Sequence, residues 1–290
     1  MHDQRFFDQT LALIDAGQLN TGMVLLAGKL CRAHADAATW PDTRAALRDH
    51  PLHAALLEDP FSAYSARRPR GYPGDAGLID IIYDKQANGD ITERGRAMFD
   101  TTILFPAAEA VRLRRAYAEP LVGDAWRAGK RILVLACGHF READALAGED
   151  LSRISLVDQD ALSLQRVRDL HGDRVVIHEA NVFRYLRTLA GTDERFDLIY
   201  TLGLTDYLDV RAMQLLHRLV RPCLVPGGTF LLANFLPHHL AVGWMDAVMD
   251  WQLIYRDEEE LIGYANAVGL DPQTWRDATG AVVWCEMTAP

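Results

Sequence analysis

The pattern of apolar residues changes character in the middle of the chain. Early in the sequence, apolar side chains recur at spacings near 3.6 residues, as at Phe7 and Leu11, which is typical of amphipathic helices. Continuous apolar runs begin at residues 131–136, RILVLA, as expected for strands that are covered on both faces of a sheet. The pattern therefore predicts a helical N-terminal cap over residues 1–115 and a different domain over residues 116–290.

Strand-like and helix-like segments alternate through this second region. Such alternation favours a parallel, doubly wound sheet. We predict an α/β fold with a Rossmann-like, mostly parallel sheet, a terminal antiparallel hairpin and an N-terminal helical cap. The predicted strands are 131–136, 153–158, 174–179, 196–201 and 228–235, with hairpin strands at 270–277 and 281–288. The predicted helices include 105–128, 141–149, 161–172, 184–191, 211–224, 243–256 and 257–270, the last of which opens with a capping-box pattern.

Composition and charge argue against several classes of partner. The chain has 290 residues and a net charge of −10, and it contains no run rich in Lys and Arg, so it lacks the basic surface that nucleic-acid binding needs. Its four cysteines are far apart, which argues against a zinc site. No signal pattern and no apolar run of about 20 residues is visible. We expect a cytoplasmic protein without a metal, a nucleic acid or a membrane as partner.

The turn after the first predicted strand contains a single glycine. The second and third glycines of a dinucleotide-binding turn are missing, and Phe140 and Arg141 fill that turn, so nothing there cradles a pyrophosphate. Gly138 still allows a ligand to lie against the backbone. The turn therefore favours a nucleoside without phosphates.

Polar residues follow each of the next predicted strands, and ligands of open α/β sheets bind at the carboxyl ends of strands. Asp158 is placed to accept hydrogen bonds from a ribose hydroxyl pair, whereas Asn181 and the N–H of Val182 suit an adenine edge. Gly203 again permits close approach. The predicted cofactor contacts from this edge are Ala136, Gly138, Asp158, Gln159, Asn181, Val182, Thr201 and Gly203.

The motifs LACGHFRE, LVDQDALSL, EANVF, FDLIYTLGLTDYL and VPGGTFLLANF, in this order over residues 131–290, resemble the class I S-adenosylmethionine-dependent methyltransferases. RPRGYPGD upstream and NFLPHHLAVGWMDAVMDWQLIYR downstream extend the resemblance, over residues 60–260, to the bacterial extracellular factor (3-hydroxypalmitic acid methyl ester) biosynthesis proteins. The resemblance implies S-adenosyl-L-methionine as cofactor and methyl transfer to a small molecule, with a carboxylate as the expected acceptor. The organism's product and the acceptor itself stay open.

The chain departs from the methyltransferase pattern at one position. These enzymes carry an acid two positions before the equivalent of Ala136, where it helps to hold the methionine amine, and this chain has Val134 there. Other groups must then hold the amine and the carboxylate. The candidates are Arg70, Tyr72, Asp75, Arg141 and the backbone at Gly138.

Methyl transfer from a sulfonium to a carboxylate needs alignment and exclusion of water more than it needs acid–base chemistry. Aromatic rings can hold the sulfonium through cation–π contacts, whereas an amine or phenol acceptor would also require a base. The aromatic candidates are Tyr64, Tyr72 and Tyr207, and the candidate bases are Asp206, His238 and His239. Of these, Tyr72, Tyr207, Asp206 and His238 form the predicted catalytic set.

The predicted helix 243–256 has two interpretations. Trp244, Val248, Trp251 and Tyr255 recur at helical spacing, which is typical of core packing but also suits a lid over an apolar substrate. Arg256 is expected to form a surface salt bridge, or else to pair with a substrate carboxylate.

Three functions stay open. The first is a small-molecule methyltransferase. The second is an enzyme in which the methionine amine attacks its own side chain, releasing methylthioadenosine and a small cyclic amino acid; the absent acid at Val134 motivates it, since an amine without a carboxylate partner loses its proton more easily. The third is a binding module without catalysis. The expected partner is a small-molecule substrate, with a homodimer as one open arrangement.

Overall fold

The computed structural model describes residues 2–87 and 89–290, without the side chain of His2. The chain divides into two compact units. The first contains residues 1–112, 237–253 and 279–281, and the second contains residues 113–236, 254–278 and 282–290. The first unit is thus completed by a segment that returns to it after the fifth strand of the second unit.

The first unit is helical, as the periodicity predicts. Side-chain caps fix where several helices start: Asp59 accepts hydrogen bonds from the N–H groups of Phe61 and Ser62, and Thr92 accepts one from the N–H of Gly95. Its helices are α1 (His2–Asp15), α2 (Leu19–His34), α3 (Trp40–Arg48), α4 (Pro51–Leu56), α5 (Pro60–Arg67), α6 (Ala76–Asp84) and α7 (Glu93–Thr102), together with the start of α8 (Pro106–Arg127) and, after the fifth strand, α12 (Val242–Ala247).

The predicted helix over 243–256 is wrong, because α12 ends at Ala247. Arg48 donates to the carbonyl oxygens of Asp246 and Ala247, at 3.1 and 3.3 Å, and so satisfies the backbone at the end of that helix. Three residues further along, Asp250 has a φ of +50°, which is left-handed, so a right-handed helix cannot continue through it. Residues 250–257 are therefore irregular.

The aromatic residues of this segment form part of a packed core. Trp244, Val248 and Trp251 are buried, and Trp244 Nε1 donates to Ser62 Oγ at 3.1 Å. The void beside Trp244 and Trp251 has a volume of about 10 Å³, which is about the space of one water molecule. The interpretation as core packing is confirmed for these three residues, and the void has no room for a substrate.

The second unit is a seven-stranded sheet in the order β3-β2-β1-β4-β5-β7-β6, parallel except for β7, which is antiparallel to both of its neighbours. The fold class is confirmed: a Rossmann-like doubly wound sheet with a terminal antiparallel hairpin. The strands are β1 (Ile132–Leu135), β2 (Leu151–Asp158), β3 (Val175–Glu179), β4 (Phe196–Thr201), β5 (Leu224–Phe235), β6 (Asp271–Arg276) and β7 (Val282–Thr288). The helices are the rest of α8, α9 (Ala161–His171), α10 (Val182–Ala190), α11 (Val210–Val220) and α13 (Glu258–Asn266), the last with the predicted capping box of Asp257 and Glu260.

Two predicted elements differ in extent. β5 begins at Leu224 rather than at residue 228, and the turn-like Pro226-Gly227-Gly228 lies inside it, where its register with β4 shifts. Residues 141–149, predicted as a helix, form only a 3₁₀ helix over Arg141–Leu146, which starts after Phe140 in the left-handed conformation.

Candidate functional site

The strand order places one crevice at the carboxyl end of β1. The chain proceeds from β1 to β2 and β3 on one side, and from β4 to β5 on the other. At such a switch point the two following loops diverge and leave a ligand-sized opening between them. The ends of β1, β2 and β4 are therefore the place where a ligand of this unit is expected.

The loop after β1 contains three residues in the left-handed conformation, only one of which is a glycine. Ala136, Gly138 and Phe140 have φ angles of +54°, +52° and +50°, all in the left-handed region. The ring of Phe140 is buried and lies 5.8 Å from the ring of His171. Phe140 therefore contributes to the core, which offsets the cost of its backbone conformation.

Internal hydrogen bonds already occupy three amides of this loop. The N–H of Cys137 donates to Val157 O at 3.2 Å, that of Gly138 to Asp158 Oδ2 at 2.9 Å and that of Phe140 to Cys137 O at 3.0 Å. A phosphate site at such a turn needs amides that point at the ligand. The internal pairing of these three amides therefore disfavours a dinucleotide site.

Asp158 ends β2 and is held by two backbone amides. Its Oδ2 accepts from Gly138 N and its Oδ1 from Asp160 N, both at 2.9 Å. Burial raises the pKa of this carboxyl group, since only 9% of the residue is exposed. Each oxygen keeps further lone-pair capacity, so this fixed carboxyl group can accept from two adjacent hydroxyl groups.

Asn181 caps α10. Its Oδ1 accepts from the N–H groups of Phe183 and Arg184, and its Nδ2 donates to Gln159 Oε1 at 3.3 Å. The predicted contact of the Asn181 amide with an adenine edge would have to compete with Gln159. Val182 is the first residue of α10, where the helix itself provides no acceptor for the N–H.

The end of β4 offers a buried hydroxyl group and an open glycine. Thr201 is fully buried, and its Oγ1 has no hydrogen-bond partner among the described residues. A side chain at Gly203 would meet no atom within 4 Å, so space is open beside this loop. Both features suit the predicted role of these residues in contacting a ligand.

Asp206, a candidate base of the predicted catalytic set, is buried and does not project into a cleft. Asp206 is 2% exposed; its Oδ1 accepts from Phe235 N at 2.7 Å and its Oδ2 pairs with Arg114 Nη1 at 3.4 Å. Burial raises the pKa of Asp206 while Arg114 opposes the shift. The Arg114 guanidinium also lies 4.3 Å from the centre of the Phe235 ring. Asp206 therefore joins the loop after β4 to β5 and α8, because its side chain turns inward at the strand end.

The expectation for Arg256 is wrong, because Arg256 is buried. Its Nη1 donates to Thr205 O at 2.8 Å and to Asn234 Oδ1 at 3.1 Å, and its Nη2 donates to Leu208 O. Arg256 fixes the loop between β4 and α11 from within. Tyr207, in the same loop, is 39% exposed and so stays available as an aromatic candidate.

The remaining candidates lie in the first unit, where Asp75, Tyr64 and Arg70 form one cluster. Asp75 Oδ1 caps α6 by accepting from Leu78 N at 2.9 Å, and it accepts from Tyr64 Oη at 3.1 Å. Burial raises the pKa of Tyr64 to about 12, and hydrogen bonding to Arg70 opposes that shift. Asp75 thus has a structural role in the turn that carries Tyr72, which is 38% exposed.

The two candidate histidines of the first unit differ in exposure. His238 is exposed and has a φ of +69°, whereas His239 is 7% exposed. Their carbonyl oxygens face the thiol of Cys31, at 3.7 and 3.4 Å from Sγ. Exposure leaves His238 the better placed of the two to exchange protons with a solvent-borne substrate.

Sequence reasoning missed Glu142. This residue lies in the 3₁₀ helix after the β1 loop and is 7% exposed, and its Oε2 has no hydrogen-bond partner among the described residues. Burial raises the pKa of Glu142 to about 7. An acidic residue beside a glycine turn usually suggests a solvated helix start, so nothing in the sequence indicates this burial.

Comparisons with known proteins agree on the fold. No family model matches the chain, and no curated protein matches it. The chain is similar to the crystal structure of a possible exported protein from Bordetella parapertussis, at 18% identity and a TM-score of 0.56, over 95% of this chain and 97% of that one. At this identity the likeness shows the fold alone.

Two further solved structures are less similar. Magnesium protoporphyrin IX methyltransferase (ChlM) from Synechocystis PCC 6803, with bound S-adenosylhomocysteine, has 11% identity and a TM-score of 0.49 over 82% of this chain and 100% of that one. The N-methyltransferase NodS from Bradyrhizobium japonicum, also in complex with S-adenosylhomocysteine, has 15% identity and a TM-score of 0.45 over 61% of this chain and 87% of that one.

Two features are absent from residues 2–87 and 89–290. No helix there combines the length and the apolar character that crossing a bilayer requires. No group of three or more His, Cys, Asp or Glu side chains is arranged to hold a metal ion.

Proposed function

We propose that the protein is an S-adenosylmethionine-dependent methyltransferase that acts on a small molecule. The observation that carries the proposal is the link between the β1 loop and Asp158 at the switch point of the sheet, where a carboxyl group is fixed for a hydroxyl pair and the loop amides are occupied internally. This combination suits a nucleoside without phosphates.

Two buried carboxyl groups near the β1 loop support the same ligand. Asp158, at the end of β2, and Glu142, in the 3₁₀ helix after the loop, would repel a phosphate but attract hydroxyl donors and cations. S-adenosylmethionine carries a ribose, an ammonium group and a sulfonium, and no phosphate. The ligand therefore presents the groups that these two side chains can accept.

A carboxylate is the proposed methyl acceptor. In this reaction a carboxylate oxygen forms a bond to the methyl carbon while the bond from that carbon to sulfur breaks, releasing S-adenosylhomocysteine. No proton has to move, so the reaction needs the carboxylate about 3 Å from the methyl group, in line with the breaking bond. This suits a site in which Asp206, the candidate base of the second unit, is buried and paired with Arg114.

Tyr207 remains the proposed aromatic partner of the sulfonium, since it is partly exposed, and Tyr72 stays a prediction from the sequence. His238 remains the proposed base for an amine or phenol acceptor. A cytoplasmic location and a homodimer also remain proposals, which fractionation and a measurement of mass in solution would test.

The test is to incubate the purified protein with S-adenosylmethionine, alone and with a panel of carboxylic acids, and to identify the products by mass spectrometry. The proposal predicts S-adenosylhomocysteine and a methyl ester in equal amounts, and only in the presence of an acceptor. Methylthioadenosine formed without any acceptor would overturn it in favour of intramolecular attack by the amine. Bound, unchanged ligand with every acid of the panel would overturn the carboxylate as the methyl acceptor.

A further inference from the structure

Glu142 combines burial, an unfilled hydrogen-bonding capacity and a position beside the β1 loop. It follows Phe140 by two residues, and 7% of its surface is exposed. Its own backbone N–H interacts with the carboxylate, while Oε2 has no hydrogen-bond partner among the described residues. A buried carboxyl oxygen without a partner is costly unless a ligand supplies one.

The neighbouring arginines do not supply a hydrogen-bond partner to Glu142 Oε2. Arg115 of α8 and Arg141 of the same 3₁₀ helix both donate to Asp144 Oδ2, at 2.8 and 2.9 Å. Their charges lower the pKa of Glu142 only in part, against burial and the charge of Asp144. Both of these ion pairs therefore go to the more exposed Asp144.

Glu142 also lies close to the residues of the candidate site. Burial raises the pKa of the Cys137 thiol, and the charges of Asp158 and Glu142 raise it further, so both carboxyl groups act on the same loop residue. Val134, on β1 just before that loop, is buried and apolar, so it cannot pair with an ammonium group. Glu142 is thus a second buried acid near this loop, in addition to Asp158, which we assign to the ribose.

We propose that Glu142 binds the ammonium group at the methionine end of S-adenosylmethionine through Oε2. An ammonium group brings three donors and a positive charge, and both need compensation once the ligand leaves water. A buried carboxylate in the loop supplies an acceptor and the opposite charge. This inference rests on the proposed function. It assigns to Glu142 the selection of ligands that carry the amino group of the methionine end.

The ionisation of Glu142 fits this role. Its pKa of about 7 means that the empty site can keep the carboxyl group neutral near neutral pH. An arriving ammonium group favours the ionised form, so binding displaces the proton. Arg115, Arg141, Asp144 and Cys137 are the other titratable groups that act on Glu142 or are acted on by it, and we expect none of them to change its preference for a cation.

The experiment compares three ligands by calorimetry near pH 8, where Glu142 can ionise. S-adenosylmethionine and S-adenosylhomocysteine carry the amino group, and methylthioadenosine carries only the nucleoside and the thioether. We expect Glu142→Gln to weaken binding of the first two at least tenfold and binding of methylthioadenosine less than about twofold, since a charge-assisted hydrogen bond contributes this much. The matched control is Glu149→Gln, which makes the same chemical change at an exposed position of the following turn.

An equal loss for all three ligands would overturn the proposal, because it would show a structural role, and so would unchanged affinities. Should Glu142→Gln fail to fold, Glu142→Met, which has a similar volume without charge, serves for the same comparison. If the wild-type protein binds none of the three ligands, the proposed function itself is refuted. If the wild type binds them and the Glu142 variant binds them with the same affinities, only this inference is refuted.

Discussion

The backbone N–H of Gly138 donates a 2.9 Å hydrogen bond to Asp158 Oδ2, which joins the loop after β1 to the end of β2 across 20 residues of sequence. The bond fixes the carboxyl group before any ligand arrives. It also uses an amide that a phosphate would otherwise need. A preorganised acceptor of this kind binds a hydroxyl pair without the entropic cost of ordering a side chain.

Asp158→Ala should weaken binding of every adenosine-containing ligand. The variant removes the acceptor for the ribose, which S-adenosylmethionine and methylthioadenosine share, so we expect both affinities to fall about 10–100-fold. Calorimetry with both ligands measures this. A loss confined to S-adenosylmethionine would contradict the assignment of Asp158 to the ribose, and would place the methionine end there instead.

Asp206→Asn should reduce stability rather than change ligand selectivity. The variant leaves the buried guanidinium of Arg114 without its charged partner, which costs about 3–5 kcal/mol. Urea denaturation gives the free energy of unfolding, and Asp193→Asn, at an exposed position, is the control. If Asp206→Asn instead keeps wild-type stability and loses turnover, Asp206 acts in catalysis, as the sequence alone suggested.

Ala136 should tolerate glycine but not valine. At its φ of +54°, an L side chain costs about 1–2 kcal/mol, and a β-branched side chain costs more. We expect Ala136→Gly to melt at or above the wild-type temperature and Ala136→Val to melt several degrees lower, as followed by circular dichroism. Equal melting temperatures for the two variants would show that this left-handed backbone is not required.

Glu142 should make the stability of the protein without ligand depend on pH. Its pKa is about 7 in the folded chain against an ordinary value of 4.5, so the folded state holds the proton more tightly than the unfolded state. The resulting stabilisation is fully present below about pH 4.5 and is lost as the pH rises through about 7, a change on the order of 3 kcal/mol.

Glu142→Gln should therefore unfold with a flatter pH profile than the wild type and be more stable near pH 8, although it binds S-adenosylmethionine less well. Urea titrations near pH 5 and pH 8 test this, with Glu149→Gln as the control expected to follow the wild-type profile. Parallel profiles of the wild type and the Glu142 variant would show that this carboxyl group ionises normally.

The strands were predictable because each is an apolar run covered on both faces, as in Ile132–Leu135, and such runs have few alternatives. The capping box at Asp257 and Glu260 was equally predictable, since it depends only on residues close together in the sequence. The extent of the helix predicted over 243–256 could not be predicted, because a buried Trp251 fits a helix and an irregular segment equally well. The hydrogen bonds from Arg48 and the positive φ of Asp250, which end α12 early, are not visible in the sequence.

The site was only partly predictable, for a related reason. Position at a strand end was enough to find Asp158, but it does not fix the direction of a side chain, and Asp206 turns inward to Arg114. The burial of Glu142 could not be predicted, because the sequence does not show whether an acid in a short turn is buried or solvated. Long-range packing decides both.

The most direct test of the central claim is a calorimetric titration of the wild-type protein with S-adenosylmethionine and, separately, with NAD⁺. The account predicts saturable binding of S-adenosylmethionine and none of NAD⁺, because Asp158 accepts a ribose while the amides of Cys137, Gly138 and Phe140 are occupied within the chain. Binding of NAD⁺, or no binding of S-adenosylmethionine, would contradict it.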